Sequence, residues 1–224
     1  MGALLLSLLV LPTLWFALAY AGLPRIWSHH EHKRGKPAGD TVAYTAQDIP
    51  GDPINLEIDG PQSAIECRLK RGGWIKADAV TFGAGLRIGT SVLLHQAYPN
   101  APVSPLYLHD RMQDMAFELD EGKSARRRHH VRFWNVSPNH WLGSATFDRG
   151  VGLSLFTLQI THHIGPDVDL ERDAVAKLVA TNGTVNLKAQ RDIVSTKARR
   201  NGGGDRYWTD GKIAGISTGG DCGT

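Results

Sequence analysis

The order of hydrophobic and polar positions divides the chain into an apolar N-terminal segment and a longer mixed segment. Residues 3–23 contain no charged side chain, and about 20 apolar residues form a helix long enough to cross a bilayer core. Trp15 and Tyr20 are residue types that favour the membrane interface. The pattern therefore predicts an N-terminal transmembrane anchor over residues 1–24.

A cleaved signal peptide is the alternative for this segment, because residues 19–21 read AYA, an A-x-A cleavage pattern. Against cleavage, no Lys or Arg precedes the apolar run. Four basic residues follow it within 25–36. By the positive-inside rule they favour a single-pass protein of the inner (cell) membrane, with its soluble part on the cytoplasmic rather than the periplasmic side.

The rest of the chain divides into three parts by composition. Residues 25–52 form a basic flank and linker, because 33–52 are rich in Pro, Gly and Asp and show no sustained period. Residues 53–217 alternate between strand and helix patterns and form the folded domain. Residues 218–224 are Gly-rich and predict a flexible tail.

Within the domain, strand patterns outnumber helix patterns. PINLEID at 53–59 alternates as a half-buried strand, and the following residues predict a helix with Pro61 at its first position and Gly72 as its stop. Residues 84–97 predict a second short helix or a turn-rich segment. Residues 103–120 predict short strands around a turn. Together they indicate an α+β fold with a mainly antiparallel sheet and two or three helices, preceded by one transmembrane helix.

The second half of the domain carries the longest patterns. RRHHVRFW and WLGSATFD predict two strands joined by the turn NVSPN, and residues 151–164 predict one long strand. The best helix follows, with Asp167 or Asp169 as its N-cap. Two late strands are predicted around residues 186–196 and 205–217.

The amino-acid composition excludes fewer classes of function than the hydrophobic pattern does. The net charge of +3 argues against a dedicated nucleic-acid binder. Cys67 lies in a predicted helix and Cys222 near the end of the chain. This placement suggests neither a disulfide nor a thiolate metal site, and no cofactor is required by the sequence.

Several segments together resemble the LssY C-terminal domain family. These are, in order, DPIN, GGW, APVSPLYLHDRMQDMAFE, RHHVRFW, GSATFD, HHIGPDVDLERD and YWTDG, which cover most of residues 50–215. Members of that family often occur beside or fused to membrane domains of the phosphatidic-acid phosphatase and small-transporter types. The resemblance implies a membrane-associated accessory or enzymatic domain. It supplies no catalytic residues, and the phosphatase motifs P-S-G-H and S-R-x(5)-H are absent.

Polar side chains on two predicted strands suggest a site. Alternation places His130, Arg132 and Trp134 on one face of their strand and Val131 and Phe133 on the core face. His163 shares a face with Thr161 and Gln159, whereas His162 shares one with apolar residues. If the two strands are neighbours, the polar faces of His130 and His163 share one recess.

Carboxylates near these histidines extend the hypothesis. The candidate catalytic residues are His130, Arg132, His163 and Asp148, and the candidate ligands of a divalent metal are His130, His163, Asp148 and Asp167. Arg132 would hold an anionic substrate group. The alternative is a structural network in which these side chains bind only one another, with Asp167 or Asp169 serving as a helix cap.

The arginine run before the first of these strands has its own alternatives. Arg126, Arg127 and Arg128 are typical of a solvated strand edge, and beside an anchor they are also candidates, together with Arg132, for binding substrate or anionic lipid.

Two function classes remain. The first is a non-catalytic accessory subunit that docks on other membrane proteins. The second is a membrane-tethered hydrolase of phosphate-bearing lipid or another anionic substrate. In both classes the expected partners are the lipid bilayer and membrane proteins.

Overall fold

The computed structural model describes residues 2–34, 41–77, 104–122, 127–190, 198–219 and 222. The helix predicted at 84–97 and Arg126 lie outside the described residues.

The N-terminal segment is one continuous helical rod. It consists of α1 (Gly2–Ala17), a π-helical turn (Leu18–Gly22) and α2 (Leu23–Arg34). The π turn lies next to Pro24, which has no N–H to continue the regular hydrogen-bond ladder. Leu8–Lys33, 26 residues, is long and apolar enough to cross a membrane.

In its described residues, the domain behind this rod consists of strands and two further helices. The helices are α3 (Gln62–Arg71) and α4 (Val168–Val179), and Thr181–Gly183 form a 3-10 turn. The strands are β1 (Val42–Tyr44), β2 (Pro50–Pro53), β3 (Leu56–Asp59), β4 (Ile75–Lys76), β5 (Tyr107–Leu108), β6 (Arg111–Met112), β7 (Met115–Asp120), β8 (Arg128–Ser137), β9 (His140–Leu153), β10 (Ile160–Ile164), β11 (Val185–Ala189), β12 (Arg199–Arg200), β13 (Arg206–Tyr207) and β14 (Lys212–Ser217).

The main sheet has eight strands in the order β11-β14-β3-β9-β8-β7-β4, with β10 paired to the end of β9. A second sheet has the order β2-β1-β5-β6, and β12 pairs with β13. Among the described pairs, β14–β3 is parallel and the others are antiparallel. This arrangement confirms the predicted α+β class with a mainly antiparallel sheet.

Helices α3 and α4 cover one face of the main sheet. Their apolar side chains pack on the inward residues of the central strands, including Val131 and Phe133, which were predicted to face the core. On the opposite face, the small sheet covers only part of the surface through a cluster around Trp134 and Leu142. The uncovered part of that face becomes the pocket described below.

Strands replace part of the predicted linker. Residues 42–44 and 50–53 are β1 and β2, although they lie in the segment 25–52 that was predicted to be a tether. Their short length and the Pro residues of β2 conceal the strand pattern, and the buried side chains of Val42 and Ala43 hold β1 in the fold.

The long strand predicted at 151–164 is also wrong. The chain turns at residues 154–159, where the Ser154 hydroxyl accepts hydrogen bonds from the N–H groups of Phe156 and Thr157. Leu158 has a positive φ of 57°. The segment is therefore the hairpin of β9 and β10.

The tail and the cysteines differ from expectation as well. Cys67 and Cys222 form a disulfide with a Cα–Cα distance of 5.9 Å. Arg71 donates a hydrogen bond to the carbonyl of Cys222, and Thr218 is fully buried. The start of the predicted flexible tail is thus tied to α3. The sequence separation of 155 residues hid this pairing.

Candidate functional site

The candidate site is a polar area on the pocket face of the main sheet. Antiparallel register aligns Glu118 of β7 with His130 of β8, and His130 with Thr146 of β9. Directly paired residues lie on the same face. Two residues farther along each strand, and so on the same face, Arg128 of β8 is aligned with Asp148 of β9. Three central strands therefore present charged side chains side by side.

These side chains form the inner wall of a pocket of about 370 Å³. Residues from the β1–β2 turn, the β9–β10 hairpin and the turn before β13 form the other walls, and Tyr20 of the N-terminal helix contributes to the lining. His130, Arg132 and Asp148 of the lining are buried, whereas Ile160 is exposed and Gln159 and Thr161 are half-buried.

Five side chains in this wall make a closed ring of contacts. Asp148 Oδ2 lies 2.9 Å from His130 Nδ1 and 3.0 Å from His162 Nδ1. His162 Nε2 lies 3.1 Å from Arg128 Nη2, and Arg128 Nη1 lies 2.6 Å from Glu118 Oε2. Glu118 Oε1 closes the ring 3.5 Å from His130 Nε2.

The contact with Arg128 selects one tautomer of the neutral His162 ring. A guanidinium group only donates hydrogen bonds, so His162 Nε2 must accept the one from Arg128. The proton of the neutral ring then resides on Nδ1, which faces Asp148. A carboxylate behind Nδ1 orients an imidazole for proton transfer at Nε2.

The pKa values of the central pair shift in opposite directions. Burial opposes the charge on Asp148, but His130 and His162 more than offset it and hold the pKa of Asp148 well below its usual range. Burial likewise opposes the charge on His130, and the Asp148 and Glu118 carboxylates raise the pKa of His130 overall. Both shifts favour the pair in its ionised form.

A second ion pair lies beside the ring. Arg132 Nη1 donates to Asp52 Oδ2 at 2.6 Å, and both residues are buried. Burial raises the pKa of Asp52 although Arg132 lowers it. A protonated Asp52 would leave the charge of Arg132 uncompensated, which favours an anionic group in the pocket.

The structure brings three predicted site residues together and separates two others. His130, Arg132 and Asp148 line the pocket. His163 is instead hydrogen-bonded to Asp205 at 2.9 Å, and Asp167 caps α4 by accepting from the N–H groups of Asp169 and Leu170. The predicted shared recess of His130 and His163 is therefore wrong, because His162 occupies that place.

The predicted metal ligands are separated in the same way. Within the described ranges, no group of three or more His, Cys, Asp or Glu side chains is arranged to hold a metal ion. His163 and Asp167 have other partners, and the two remaining candidates, His130 and Asp148, contact each other.

The arginine run has two different environments. Arg127 forms an exposed ion pair with Glu121 and lies over the ring of Phe147. Arg128, predicted to belong to a solvated edge or a lipid contact, points into the pocket wall because it lies on the same strand face as His130.

Sequence reasoning missed Glu118, Asp52 and His162 as site residues. Glu118 belongs to a strand whose register with β8 has no local signal, and Asp52 lies in the segment taken for a linker. The signal for His162 was its adjacency to His163; only the position of the hairpin turn decides which of the two faces the pocket.

Comparison with known proteins gives a family for the chain. The family model described as LssY C-terminus matches residues 38–213. A search of curated proteins found no match, and a search of solved structures found none either. The matched region includes β1, β2 and every polar residue of the ring, and it ends inside β14. Since the match covers most of its length, the chain belongs to the LssY C-terminus family.

Proposed function

We propose that this protein is a membrane-anchored hydrolase that binds the anionic head of an amphiphile, such as a phosphate-bearing lipid, in the pocket. The observation that carries the proposal is Asp148, whose carboxylate lies behind two imidazoles in a concave pocket. Such a group can polarise a histidine that moves a proton to or from water.

The arginines supply the affinity for an anionic group. Arg128 and Arg132 both line the pocket and lie on one strand face, four residues apart with His130 between them. Their planar guanidinium groups suit the oxygens of phosphate or carboxylate. When substrate binds, Arg128 exchanges its contact with His162 for one with the anion. This frees His162 Nε2, which accepts a proton from water as the water oxygen bonds to the phosphorus. The P–O bond to the leaving group breaks, and the protonated His162 returns the proton to the leaving oxygen.

The anchor part of the proposal is supported by the contact between rod and domain. Tyr20 lines the pocket, and Trp27 donates its indole N–H to the carbonyl of Phe156 at 2.7 Å. Cleavage after residue 21 would remove Tyr20 from the pocket. A retained helix therefore explains the place of Tyr20 in the pocket lining, whereas Trp27 stays in the chain with or without cleavage.

The disulfide supports a different side of the membrane from that expected from the basic flank. Disulfides persist in oxidising compartments and are rare in the cytosol. We accordingly assign the soluble domain to the oxidising side of the membrane. Alkylation of free thiols at cell lysis tests this assignment: Cys67 and Cys222 should react with a maleimide only after reduction, and reaction without reductant would refute it.

Activity is tested with the full chain in vesicles that contain phosphatidic acid or phosphatidylglycerol. Mass spectrometry of the extracted lipids should detect hydrolysis products with the wild type. Asp148→Asn and His162→Gln should each lower the rate by about 10²–10⁴-fold, the range for loss of an acid–base group.

His140→Gln is the matched control for this assay. His140 also contacts a carboxylate, Asp59, at 2.7 Å, but it lies at the opposite end of β9 and does not line the pocket. Its rate should remain that of the wild type. Equal rates in Asp148→Asn and wild type would exclude the acid–base role.

A non-catalytic accessory subunit is the second candidate. The observation that favours it is the closed ring, in which each of the five side chains lies within 3.5 Å of two others in the wall. In that case the vesicle assay should show no turnover with wild type, while Asp148→Asn should weaken the association of the protein with other membrane proteins in detergent extracts.

A further inference from the structure

The tip of the β9–β10 hairpin has an unusual composition for an exposed turn. Residues 150–161, GVGLSLFTLQIT, contain no charged side chain. Four of its apolar side chains are exposed: Val151 by 48%, Leu153 by 46%, Leu155 by 68% and Ile160 by 61%. Exposed apolar groups that cluster in this way mark a surface that binds a membrane or another molecule.

The register of the hairpin aligns three of these side chains. Leu153 pairs with Ile160, and Val151 pairs with His162. Paired residues lie on the same face, and alternate residues of one strand do so too. Val151, Leu153 and Ile160, which we name the hairpin strip, therefore form one apolar surface on the face of His162, beside the pocket.

The N-terminal helix packs against the same hairpin. The rings of Trp27 and Phe156 meet edge to face with their centroids 4.9 Å apart, and the Trp27 N–H binds the Phe156 carbonyl. Tyr20 reaches the pocket lining, to which Ile160 of the strip also contributes. The strip is thus continuous with the helix that the proposed function places in the bilayer.

The depth of this contact follows from the helix geometry. Tyr20 and Trp27 are separated by about 10 Å along a helix, at about 1.5 Å per residue. The apolar run ends at Leu23, between these two residues. The hairpin therefore lies beside the part of the helix where hydrocarbon gives way to headgroups, a region that accepts aromatic and small polar side chains.

We propose that the hairpin strip is a second bilayer contact, which inserts into the same leaflet as the anchor and holds the pocket at the headgroup layer. This inference rests on the proposed membrane anchor but not on catalysis. It also provides a route by which an amphiphile could reach the pocket without leaving the membrane.

Single-cysteine labelling tests the contact in the full chain. The sequence contains two cysteines, and both are in the disulfide, so a new cysteine is the only free thiol. Leu153→Cys and Ile160→Cys, each labelled with a thiol-reactive fluorophore, are placed in nanodiscs at one chain per disc, with either ordinary or brominated phospholipid. Bromine quenches only probes that touch the acyl-chain region.

Leu187→Cys provides the matched control. Leu187 is an apolar strand residue of β11 with 43% exposure, and it lies at the far edge of the main sheet. Brominated lipid should lower the emission of the probes at 153 and 160 at least twofold and leave the probe at 187 unchanged. If one variant fails to fold, Val151→Cys replaces it.

The outcomes distinguish a failure of the bilayer contact from a failure of the proposed membrane anchor. If the chain is incorporated in nanodiscs but the probes at 153 and 160 are as unquenched as the probe at 187, the bilayer contact is overturned and the anchor is not. Chain that elutes without nanodiscs would overturn the anchor, and the contact with it.

Discussion

His130 Nδ1 lies 2.9 Å from Asp148 Oδ2, and each side chain is only 3% exposed. Both groups are ionisable and both are removed from water, so their charges depend on each other. The carboxylate raises the pKa of the imidazole and the imidazole lowers the pKa of the carboxylate. Because of these two opposite shifts, the stability of the domain depends on pH in both the acidic and the alkaline range.

The first prediction is this pH dependence. The contribution of Asp148 is complete above its ordinary pKa of about 3.9 and is lost as pH falls toward its lowered value. The contribution of His130 is complete below about 6.5 and is lost as pH rises through its raised value. Thermal melts should therefore show a plateau between these limits and a decline on both sides.

Asp148→Asn provides the check. It removes one partner of a buried ion pair and should cost about 3–5 kcal/mol of unfolding free energy. Without the carboxylate the pKa of His130 should fall, so the alkaline decline should disappear. His140→Gln should keep both declines, and an alkaline decline retained in Asp148→Asn would assign it to another group.

The second prediction concerns the disulfide, which joins Cys222 of the tail to Cys67 of α3. Replacing Cys67 and Cys222 together by alanine should lower the unfolding free energy by about 2–5 kcal/mol, because the unfolded chain gains freedom. Reductant should produce the same loss in the wild type and none in the double variant. Denaturant melts measure both, and a wild type insensitive to reductant would contradict a stabilising bond.

Regular strands made part of the site predictable from the sequence. β8 is regular on its pocket face, so alternation alone placed His130 and Arg132 together and Val131 and Phe133 in the core. The assignment failed at His163, because a turn at 154–159 and a bulge between His163 and Ile164 separate this segment from the alternation assumed for it.

Non-local pairing accounts for what the sequence did not reveal. Glu118 enters the ring only through the register of β7 with β8, and Cys67 meets Cys222 only when the chain end returns to α3. Neither relationship has a short-range pattern, because each depends on residues that the complete fold brings together.

The third prediction uses two glycines of β9. A Cβ at Gly143 would meet the ring of Phe133 at 2.9 Å and Leu56 Cβ at 3.1 Å, inside the core, whereas a Cβ at Gly150 would meet nothing within 4 Å. Gly143→Ala should therefore destabilise the domain by about 1–3 kcal/mol through overpacking. Gly150→Ala should be neutral or slightly stabilising, since glycine weakens a strand. Equal melting temperatures of the two variants would contradict the packing at Gly143.

The fourth prediction contrasts a buried and an exposed ion pair. Arg172 is 2% exposed and lies 2.6 Å from Asp210 and 2.7 Å from Asp173, with a further contact to Asp169. These contacts tie α4 to the segment before β14. Arg172→Met leaves the carboxylates without their cation and should cost about 3 kcal/mol, near the lower end for a broken buried pair because the aspartates remain partly in water.

Lys188→Ala is the comparison, because its partner Glu57 lies at a similar distance of 2.8 Å but the lysine side chain is 49% exposed. Water and salt screen that pair, so its loss should cost at most about 1 kcal/mol. Denaturant melts at low and high salt give both values. Arg172→Met and Lys188→Ala could instead lower the unfolding free energy by the same amount. In that case the fold holds the aspartates around Arg172 without their cation, and burial does not strengthen this ion pair.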